Sequence, residues 1–294
     1  MEAYVVAVAV IALIYMLLAI GLNLQYGYTG LVNFGHVAFY AIGAYASALL
    51  SLKGWPIAPA FAVAMLLAGL AAYPIGLLSL RLSDDYLAVV TLGFSETVRL
   101  VIQQEEWLTR GVQGLPGIPR LFQFLGVGQY ADIATLGVLI ACNVVAIGLV
   151  THLVRSPYGR LIQAVRDDET AVQALGKDPA RVKVQVFMLG AGLAGLAGAF
   201  YAHVITYISP DQFLPLVTFY VWIAIIIGGP GRTSGAVIGS LILLVFLEGS
   251  RFARDLVPGV SEVQMASVRL ALVGLALILF TIYRPQGIMG RQNL

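Results

Sequence analysis

The sequence predicts an all-α polytopic membrane protein with about eight or nine transmembrane helices, including broken or re-entrant segments. Of its 294 residues, 60% are hydrophobic and 11% are charged, and the mean hydropathy is +0.90. Soluble globular domains carry about 25% charged residues, so a soluble fold of this composition would expose too much apolar surface. The stretch from Ala3 to Leu52 contains no Asp, Glu, Lys or Arg, which is enough chain for about two membrane crossings. We expect a single transmembrane domain over residues 1–294, embedded in a lipid bilayer.

The composition also argues against several classes of site and partner. The net charge is +2 without a basic tract, which gives no indication of nucleic-acid binding. The single cysteine, Cys142, allows no internal disulfide. His36, His152 and His203 are too dispersed to indicate a metal site, and we expect neither a metal nor a cofactor. Residues 1–22 lack a basic n-region, so we expect a retained helix rather than a signal peptide.

The break between the first two crossings is polar but uncharged. We predict that Gly27–Gly30 and Asn33–His36 form an unwound connector folded back into the protein, because bare backbone in a membrane must be satisfied there by protein or water. Further crossings are predicted over residues 57–80, 86–104, 133–154, 184–206, 213–228, 236–249 and 266–283. The segment 213–228 is short enough to be re-entrant instead.

The fourth predicted crossing carries an ionisable pair, Glu96 and Arg99, at helical spacing i,i+3. Ionisable residues at membrane depth are costly and usually face the interior of a helix bundle. Two interpretations stay open: a residue of a path or gate, and an ion pair that fixes packing near the helix end.

Residues 155–183 form the one long polar island, with six of the 17 Lys+Arg and four of the 15 Asp+Glu. Apolar residues recur within it at helical spacing, which predicts an amphipathic helix that begins at Ser156-Pro157 and stops at Gly176. An alternative is an ordinary solvated helix.

Charge and parity predict the orientation. If the island is cytoplasmic and about nine segments cross, the N-terminus lies outside and the basic residues divide ten inside to six outside, in the sense expected of membrane proteins. The inside set is the six of the island with Arg81, Arg232, Arg284 and Arg291, and the outside set is Lys53, Arg110, Arg120, Arg251, Arg254 and Arg269.

Several separated motifs resemble those of LivM-type permeases of branched-chain amino acid ABC transporters. They are Gly27–Tyr45, Arg155–Arg160, Ala164–Glu169, Ala191–Ala199, Gly228–Gly239 and Arg284–Gly290. The stretch Gly27–Tyr45 is the strongest match, although Asn33 stands where serine is commoner. In that family the polar island is the cytoplasmic loop that docks on an ATPase, and Thr170-Ala-Val with Gly176 is in register with its Glu-Ala-Ala-x3-Gly motif.

The resemblance implies a non-catalytic permease subunit in the bacterial plasma (inner) membrane. Its implied partners are a second permease of LivH type, two cytoplasmic ATP-binding subunits and an extracytoplasmic substrate-binding protein. The implied ATPase-coupling residues are Arg166, Asp167, Asp168, Glu169, Ala171, Val172, Leu175 and Gly176. The candidate residues of a translocation path or gate are Tyr28, Thr29, Asn33, His36, Thr91 and Glu96.

Other functions remain to be weighed against this resemblance. Related permeases carry urea, short amides or other amino acids, and a largely apolar path suits small solutes of several kinds. A stand-alone secondary transporter needs ion-coupling carboxylates at mid-membrane, where Glu96 is the one plausible candidate. The glycine-rich run Gly228–Gly239 lacks the Gly-Lys-Ser/Thr ending of a phosphate loop, and no HExxH or Ser/His pair indicates an intramembrane enzyme.

Overall fold

The computed structural model describes residues 2–80, 82–123 and 129–255, together with a few positions between 271 and 289. Within these ranges the protein is a bundle of α-helices. The long helices are α1 Glu2–Thr29, α2 His36–Leu52, α3 Ile57–Leu78, α4 Asp84–Gln104, α6 Gln129–Arg155, α9 Pro179–Ile205, α10 Leu216–Gly228 and α11 Thr233–Asp255. The short ones are α5 Glu106–Thr109, α7 Pro157–Asp167 and α8 Glu169–Ala174. This architecture confirms the predicted fold class.

Five segments of the described chain are long and apolar enough to cross a membrane. They are Tyr4–Thr29, Ile57–Leu78, Tyr130–Arg155, Pro179–Ile205 and Pro210–Gly228. Two shorter apolar helices are His36–Leu52 and Thr233–Leu247, whereas α4 carries four acidic or basic residues. Most of the predicted crossing at 266–283 lies outside the described residues, as do Arg81, Arg269 and Arg291.

Helix α9 lies at the centre of the bundle and packs against α1, α2 and α3. Glycines make this packing close, as expected where helices associate in a membrane. A Cβ added to Gly21 would lie 2.6 Å from the carbonyl oxygen of Gly190, and a Cβ added to Gly190 would lie 2.6 Å from that of Gly21. Gly43 of α2 likewise lies directly against the backbone of Gly195. The backbones of the central helices therefore touch without side chains between them.

The first break in the bundle is shorter than the sequence predicted. Gly27, Tyr28 and Thr29 continue α1, and the connector comprises residues 30–35. The helix ends because Gly30 has φ +80°, and the Gly30 N–H donates to the Tyr26 carbonyl at 2.9 Å. The prediction that Gly27–Thr29 and His36 are unwound was wrong. Gly27–Thr29 end α1, where Gly27 allows close packing against the Gly231 backbone, and His36 is the first residue of α2. The prediction that the connector folds back into the protein is confirmed by the burial of Asn33 and His36.

A second break precedes α10. After α9 the chain passes through a 3₁₀ turn at Pro210–Gln212 and then enters α10, which has 13 residues. At about 1.5 Å per residue this helix is roughly 20 Å long, shorter than the ~30 Å hydrocarbon core of a bilayer. Residues 210–228 therefore form a broken crossing in which a non-helical segment replaces the first turns of the helix. Helix α11 then packs against α10 and continues to Asp255, beyond the predicted end at residue 249.

The loops collect at two ends of the bundle. At one end, strand β1 Leu115–Pro116 pairs antiparallel with β2 Tyr207–Ile208, and a ring nitrogen of His203 lies 2.7 Å from the Pro119 carbonyl oxygen. The same histidine contacts Ser47 and Ser51 near the end of α2. At the other end lie helices α7 and α8, with Leu80 and the turn at Gly229–Arg232 close to them.

Candidate functional site

Helix α7 begins where the sequence predicted it. Ser156 is the N-cap, its hydroxyl oxygen accepts a hydrogen bond from the Gly159 N–H at 3.2 Å, and Pro157 occupies the first turn. Gly159 packs directly against the backbone of Val154 in α6, where a Cβ would clash. The buried Ile162 and Val165 hold the helix against the bundle. The chain thus makes a tight return from α6 and lays α7 on the end of the membrane helices.

The predicted single helix of the polar island is divided in two at Asp168. This residue has extended backbone (φ −159°, ψ 105°), and its Oδ1 accepts hydrogen bonds from the N–H groups of Thr170 at 2.8 Å and Ala171 at 3.0 Å. Asp168 therefore caps α8 instead of continuing α7. Hydrogen bonds from the Thr170 hydroxyl and the Ala171 N–H lower the pKa of the Asp168 carboxyl, because they favour its charged form.

The structure separates the predicted coupling residues into an exposed set and a supporting set. Leu175 is 80% exposed and Val172 only 3% exposed, although both belong to the predicted coupling set. Val172 cannot meet a docking partner directly, because α8 turns this side chain into the core. Glu169 also faces the protein and pairs with Lys183 of α9. We define the α8 patch as the exposed residues Asp167, Asp168, Ala171, Leu175 and Gly176.

Beside this patch lies a cleft of about 300 Å³ between α8 and the first turn of α9. It is lined by Leu80, Glu169, Gln173, Lys177, Asp178, Pro179 and Ala180. Asp178 caps α9 by accepting from the Ala180 N–H at 3.0 Å, so the rim of the cleft is held by the fold. An apolar floor with charged sides of both signs can receive a side chain from a neighbouring protein.

Arg166 differs from the other members of the predicted coupling set. Its guanidinium points into the bundle, and Nη1 donates to the carbonyl oxygen of Gly27 at 2.7 Å. This places the side chain at the end of α1 rather than on the α8 patch. No pattern in the sequence predicts this contact, since the two residues are 139 positions apart.

The other candidate region surrounds the connector 30–35. Asn33 is fully buried: its Nδ2 donates to Gln25 Oε1 at 2.8 Å, and its Oδ1 accepts from the Gly35 N–H at 2.9 Å. The carbonyl oxygen of Asn33 accepts from Trp222 Nε1 at 3.0 Å. One asparagine therefore satisfies polar atoms of α1, the connector and α10, which non-helical backbone at membrane depth requires.

Helix α4 supports the same connector through Thr91. The Thr91 hydroxyl oxygen accepts from the Phe34 N–H at 3.0 Å, and Gly35 lies directly against the Thr91 backbone. His36 is buried at the start of α2, and its Nε2 has no hydrogen-bond partner among the described residues. The structure thus brings Asn33, His36 and Thr91 together, as the sequence grouped them.

The remaining path candidates lie apart from this cluster. The Tyr28 hydroxyl lies 3.1 Å from the Thr233 hydroxyl at the start of α11, and the Thr29 hydroxyl donates to the Leu24 carbonyl at 3.2 Å. Glu96 pairs with Arg99 at 2.7 Å, with side-chain exposures of 35% and 19%, on a more exposed face of α4 than Thr91. Glu96 therefore takes no part in supporting the connector.

The structure adds residues that the sequence did not single out. Thr218 accepts a hydrogen bond from the Val37 N–H at 3.0 Å, and the ring of Phe34 lies 5.2 Å from that of Trp222 and 5.4 Å from that of Phe219. The two broken crossings therefore meet side by side. Thr218 could have been singled out in the sequence because its hydroxyl stands among aromatic and apolar residues in a short segment. Paired interrupted segments of this kind are where membrane transporters build their binding sites.

A family model described as the branched-chain amino acid transport system permease component matches residues 4–281. The chain belongs to this permease family. It is accordingly a transport permease subunit and a multi-pass protein of the plasma (inner) membrane, as its apolar helices also require. Among the described residues, no group of three or more His, Cys, Asp or Glu side chains could hold a metal ion.

Two permease proteins of one bacterial transport system resemble this permease. The high-affinity branched-chain amino acid transport system permease protein LivM of Escherichia coli K12 is 34% identical over 97% of this chain and 69% of its own length. LivH of the same strain and system is 28% identical over 94% of this chain and 91% of its own length. A probable LivM of Methanocaldococcus jannaschii is 22% identical over 94% of this chain and 90% of its own length. No solved structure matches the permease.

Proposed function

We propose that this permease is the membrane subunit of an ABC importer that carries branched-chain amino acids, namely leucine, isoleucine and valine. Separate cytoplasmic ATPases hydrolyse ATP, an extracytoplasmic binding protein delivers the substrate, and a second permease of LivH type completes the membrane part. The relatives named for branched-chain amino acid transport support the substrate class. The observation that carries the coupling role is the α8 patch, in which an exposed leucine lies beside two exposed aspartates on a helix that the bundle holds in place.

The α8 patch suits an ATPase because it combines an apolar centre with an acidic rim. Leu175 projects from the C-terminal end of α8, where it is 80% exposed, and Asp167 and Asp168 lie exposed beside it. Leu175 is the one large apolar side chain of the patch, and a partner that buried it would gain the free energy of removing that surface from water. Val172 and the Glu169–Lys183 pair fix α8 to α9, so a force on Leu175 reaches the membrane helices.

The translocation path is proposed to follow the meeting line of the two broken crossings. Phe219 remains 37% exposed and Phe34 is half-buried, so part of each ring is open at the surface of the bundle. In the proposed complex this apolar edge faces the second permease. An apolar aromatic edge suits an aliphatic side chain. Asn33, His36 and Thr91 are buried behind it, and we assign them the role of holding the connector rather than touching substrate. Tyr28, Thr29 and Glu96 are proposed to stabilise the surrounding helices.

The experiment is leucine uptake by the complete transporter in proteoliposomes, with Leu175→Asp and Leu175→Met compared. The Asp variant places a charge where the ATPase should bury an apolar group, so we expect loss of ATPase co-purification and at least about a tenfold loss of uptake, equivalent to ~1.4 kcal/mol. Leu175→Met keeps an apolar side chain and should retain both. Normal co-purification and uptake in Leu175→Asp would contradict the coupling role.

A permease for urea or short amides is the second candidate, because the apolar path would also pass other small solutes. Competition separates the two: excess isoleucine or valine should suppress labelled leucine uptake, whereas urea and acetamide should not. Suppression by urea with no effect of valine would replace the proposed substrate class.

A further inference from the structure

Arg166 makes a contact that docking on an ATPase does not require. Its guanidinium is partly buried and donates to the Gly27 carbonyl oxygen at 2.7 Å, whereas the neighbouring Asp167 and Asp168 are exposed. Its aliphatic part lies along the end of α1, where a Cβ added to Gly30 would be 3.4 Å from Arg166 Cγ. The side chain thus links the first helix of the polar island to the first helix of the bundle.

The end of α1 is suited to receive this cation. The Leu31 N–H, which would bond the Gly27 carbonyl in a longer helix, donates instead to the Gln25 carbonyl at 3.0 Å. The carbonyl oxygen of Gly27 therefore faces outward at the negative end of the helix dipole, where a positive group is favourable. A hydrogen bond from a guanidinium is also stronger than one between neutral groups.

A third segment meets α7 and α1 at the same point. The Gly231 N–H donates to Asn23 Oδ1 at 3.0 Å, and Asn23 Nδ2 donates to the Arg232 carbonyl at 3.0 Å. A Cβ added to Gly231 would lie 2.9 Å from the Gly27 oxygen and 3.4 Å from Arg166 Nη1. The guanidinium, the end of α1 and the α10–α11 turn are thus in contact with little room for rearrangement.

The turn at Gly229–Arg232 is held from its other side as well. The N–H groups of Ile288 and Met289 donate to the carbonyls of Ile227 and Gly228 at 2.8 and 2.9 Å. These bonds hold the last residues of α10, which lead directly into the turn. Helix α10 in turn bonds the connector, through Trp222 Nε1 to the Asn33 carbonyl.

We propose that Arg166 is a positioning residue that passes movement of α7 to α1 and to the α10–α11 turn, and from there to the connector at the two broken crossings. This inference rests on the proposed function, because α7 and α8 must first be moved by an ATPase. It assigns Arg166 to transmission and leaves docking to the α8 patch.

The test uses the complete transporter in proteoliposomes and measures leucine carried per ATP hydrolysed. Arg166→Gln should keep ATPase co-purification and hydrolysis within about twofold of the wild type, and lower the transport per ATP by about tenfold, equivalent to ~1.4 kcal/mol. Arg166→Lys should restore part of the ratio, because an ammonium can still donate one hydrogen bond to the carbonyl. Arg160→Gln is the matched control, since it removes one exposed positive charge from the same helix and should leave the ratio unchanged.

An unchanged ratio in Arg166→Gln would overturn the proposal, and so would a loss of ATPase co-purification in that variant, which would indicate docking instead. If Arg166→Gln does not accumulate in the membrane, Asn23→Leu tests the same junction from α1 and must show the same fall. An unchanged ratio there would also overturn it. Failure of the wild-type complex to accumulate leucine would contradict the proposed function itself. The wild-type measurement detects that failure before any variant is compared.

Discussion

The substitution Gly198→Ala should destabilise the bundle at the crossing of α2 and α9. A Cβ on Gly198 would lie 1.9 Å from the carbonyl oxygen of Tyr40 and 2.8 Å from the amide nitrogen of Ala44. Carbon and oxygen atoms ordinarily approach no closer than about 3.3 Å. Because both obstructing atoms belong to the backbone, no side chain can rotate away, and the two helices must separate.

The cost of that separation follows from core substitutions that add a methyl group to a packed site. Overpacking typically destabilises a protein by about 1–3 kcal/mol. We expect the cost of Gly198→Ala to lie at the upper end of that range, because two helices must separate. For chains of about this size, 1 kcal/mol shifts the melting temperature by roughly 2–4 °C, so a cost of about 3 kcal/mol should lower it by roughly 6–12 °C. Helix α2 begins at His36, so the same displacement disturbs the connector and should lower uptake.

The assay is thermal unfolding of the purified permease in detergent, followed by size-exclusion chromatography after heating. Gly148→Ala in α6 is the matched control, because its added Cβ would meet nothing within 4 Å. That variant should melt at or above the wild-type temperature, since alanine is favoured over glycine in a helix by about 0.8–1.0 kcal/mol. Equal melting temperatures for the two variants would refute the direct backbone contact between α2 and α9.

Three further predictions concern other parts of the molecule. Gly176→Trp should abolish uptake while membrane insertion survives. Gly176→Asn should retain uptake, because asparagine tolerates the left-handed backbone at φ +72°. Normal uptake and ATPase co-purification in the Trp variant would contradict a coupling role for α8. Arg99→Ala should reduce folded yield by leaving Glu96 unpaired, at a cost of roughly 1–3 kcal/mol for this partly buried pair. The double variant Glu96→Gln with Arg99→Met should lose less yield than Arg99→Ala, and equal yields would show that the pair is unimportant. In a cysteine-free background, an impermeant maleimide should label Lys53→Cys in intact cells and Asp167→Cys only after permeabilisation, and the reverse pattern would refute the predicted orientation.

Local signals in the sequence were enough to place most helices. Helix α3 ends close to the residue at which the hydropathy of the sequence falls. The Ser156-Pro157 pair marks the start of α7, because both the serine cap and the fixed proline φ act within a few residues. The polar island and the connector were likewise predicted from composition, since polar residues in an apolar chain stand out. Such features depend on neighbours in sequence and need no knowledge of the fold.

The parts that the sequence did not predict depend on tertiary contacts. Asp168 lies in an acidic run that resembles the solvated face of a helix, and its role as a cap is visible only once the backbone turns there. Val172 and Leu175 are both apolar and three residues apart, so periodicity places them together. The ion pair between Glu169 and Lys183 fixes the orientation of α8, in which Val172 is buried and Leu175 is exposed. The contact of Arg166 with Gly27 has no sequence signal at all.

In the proposed transport cycle, the two broken crossings are the part of the bundle that rearranges. The connector accepts a hydrogen bond from Trp222 and donates hydrogen bonds to Thr91 and Gln25. Each such bond contributes about 0.5–1.5 kcal/mol net, because water or another partner can replace it. Breaking these hydrogen bonds and forming others therefore costs a few kcal/mol. A free-energy difference of that size between two conformations is one that a ligand or partner can reverse. The glycine contacts along α9 are of another kind, since they admit no alternative packing without separating helices. A rigid centre beside an exchangeable connector lets motion at α7 and α8 reach the proposed path without dissolving the bundle.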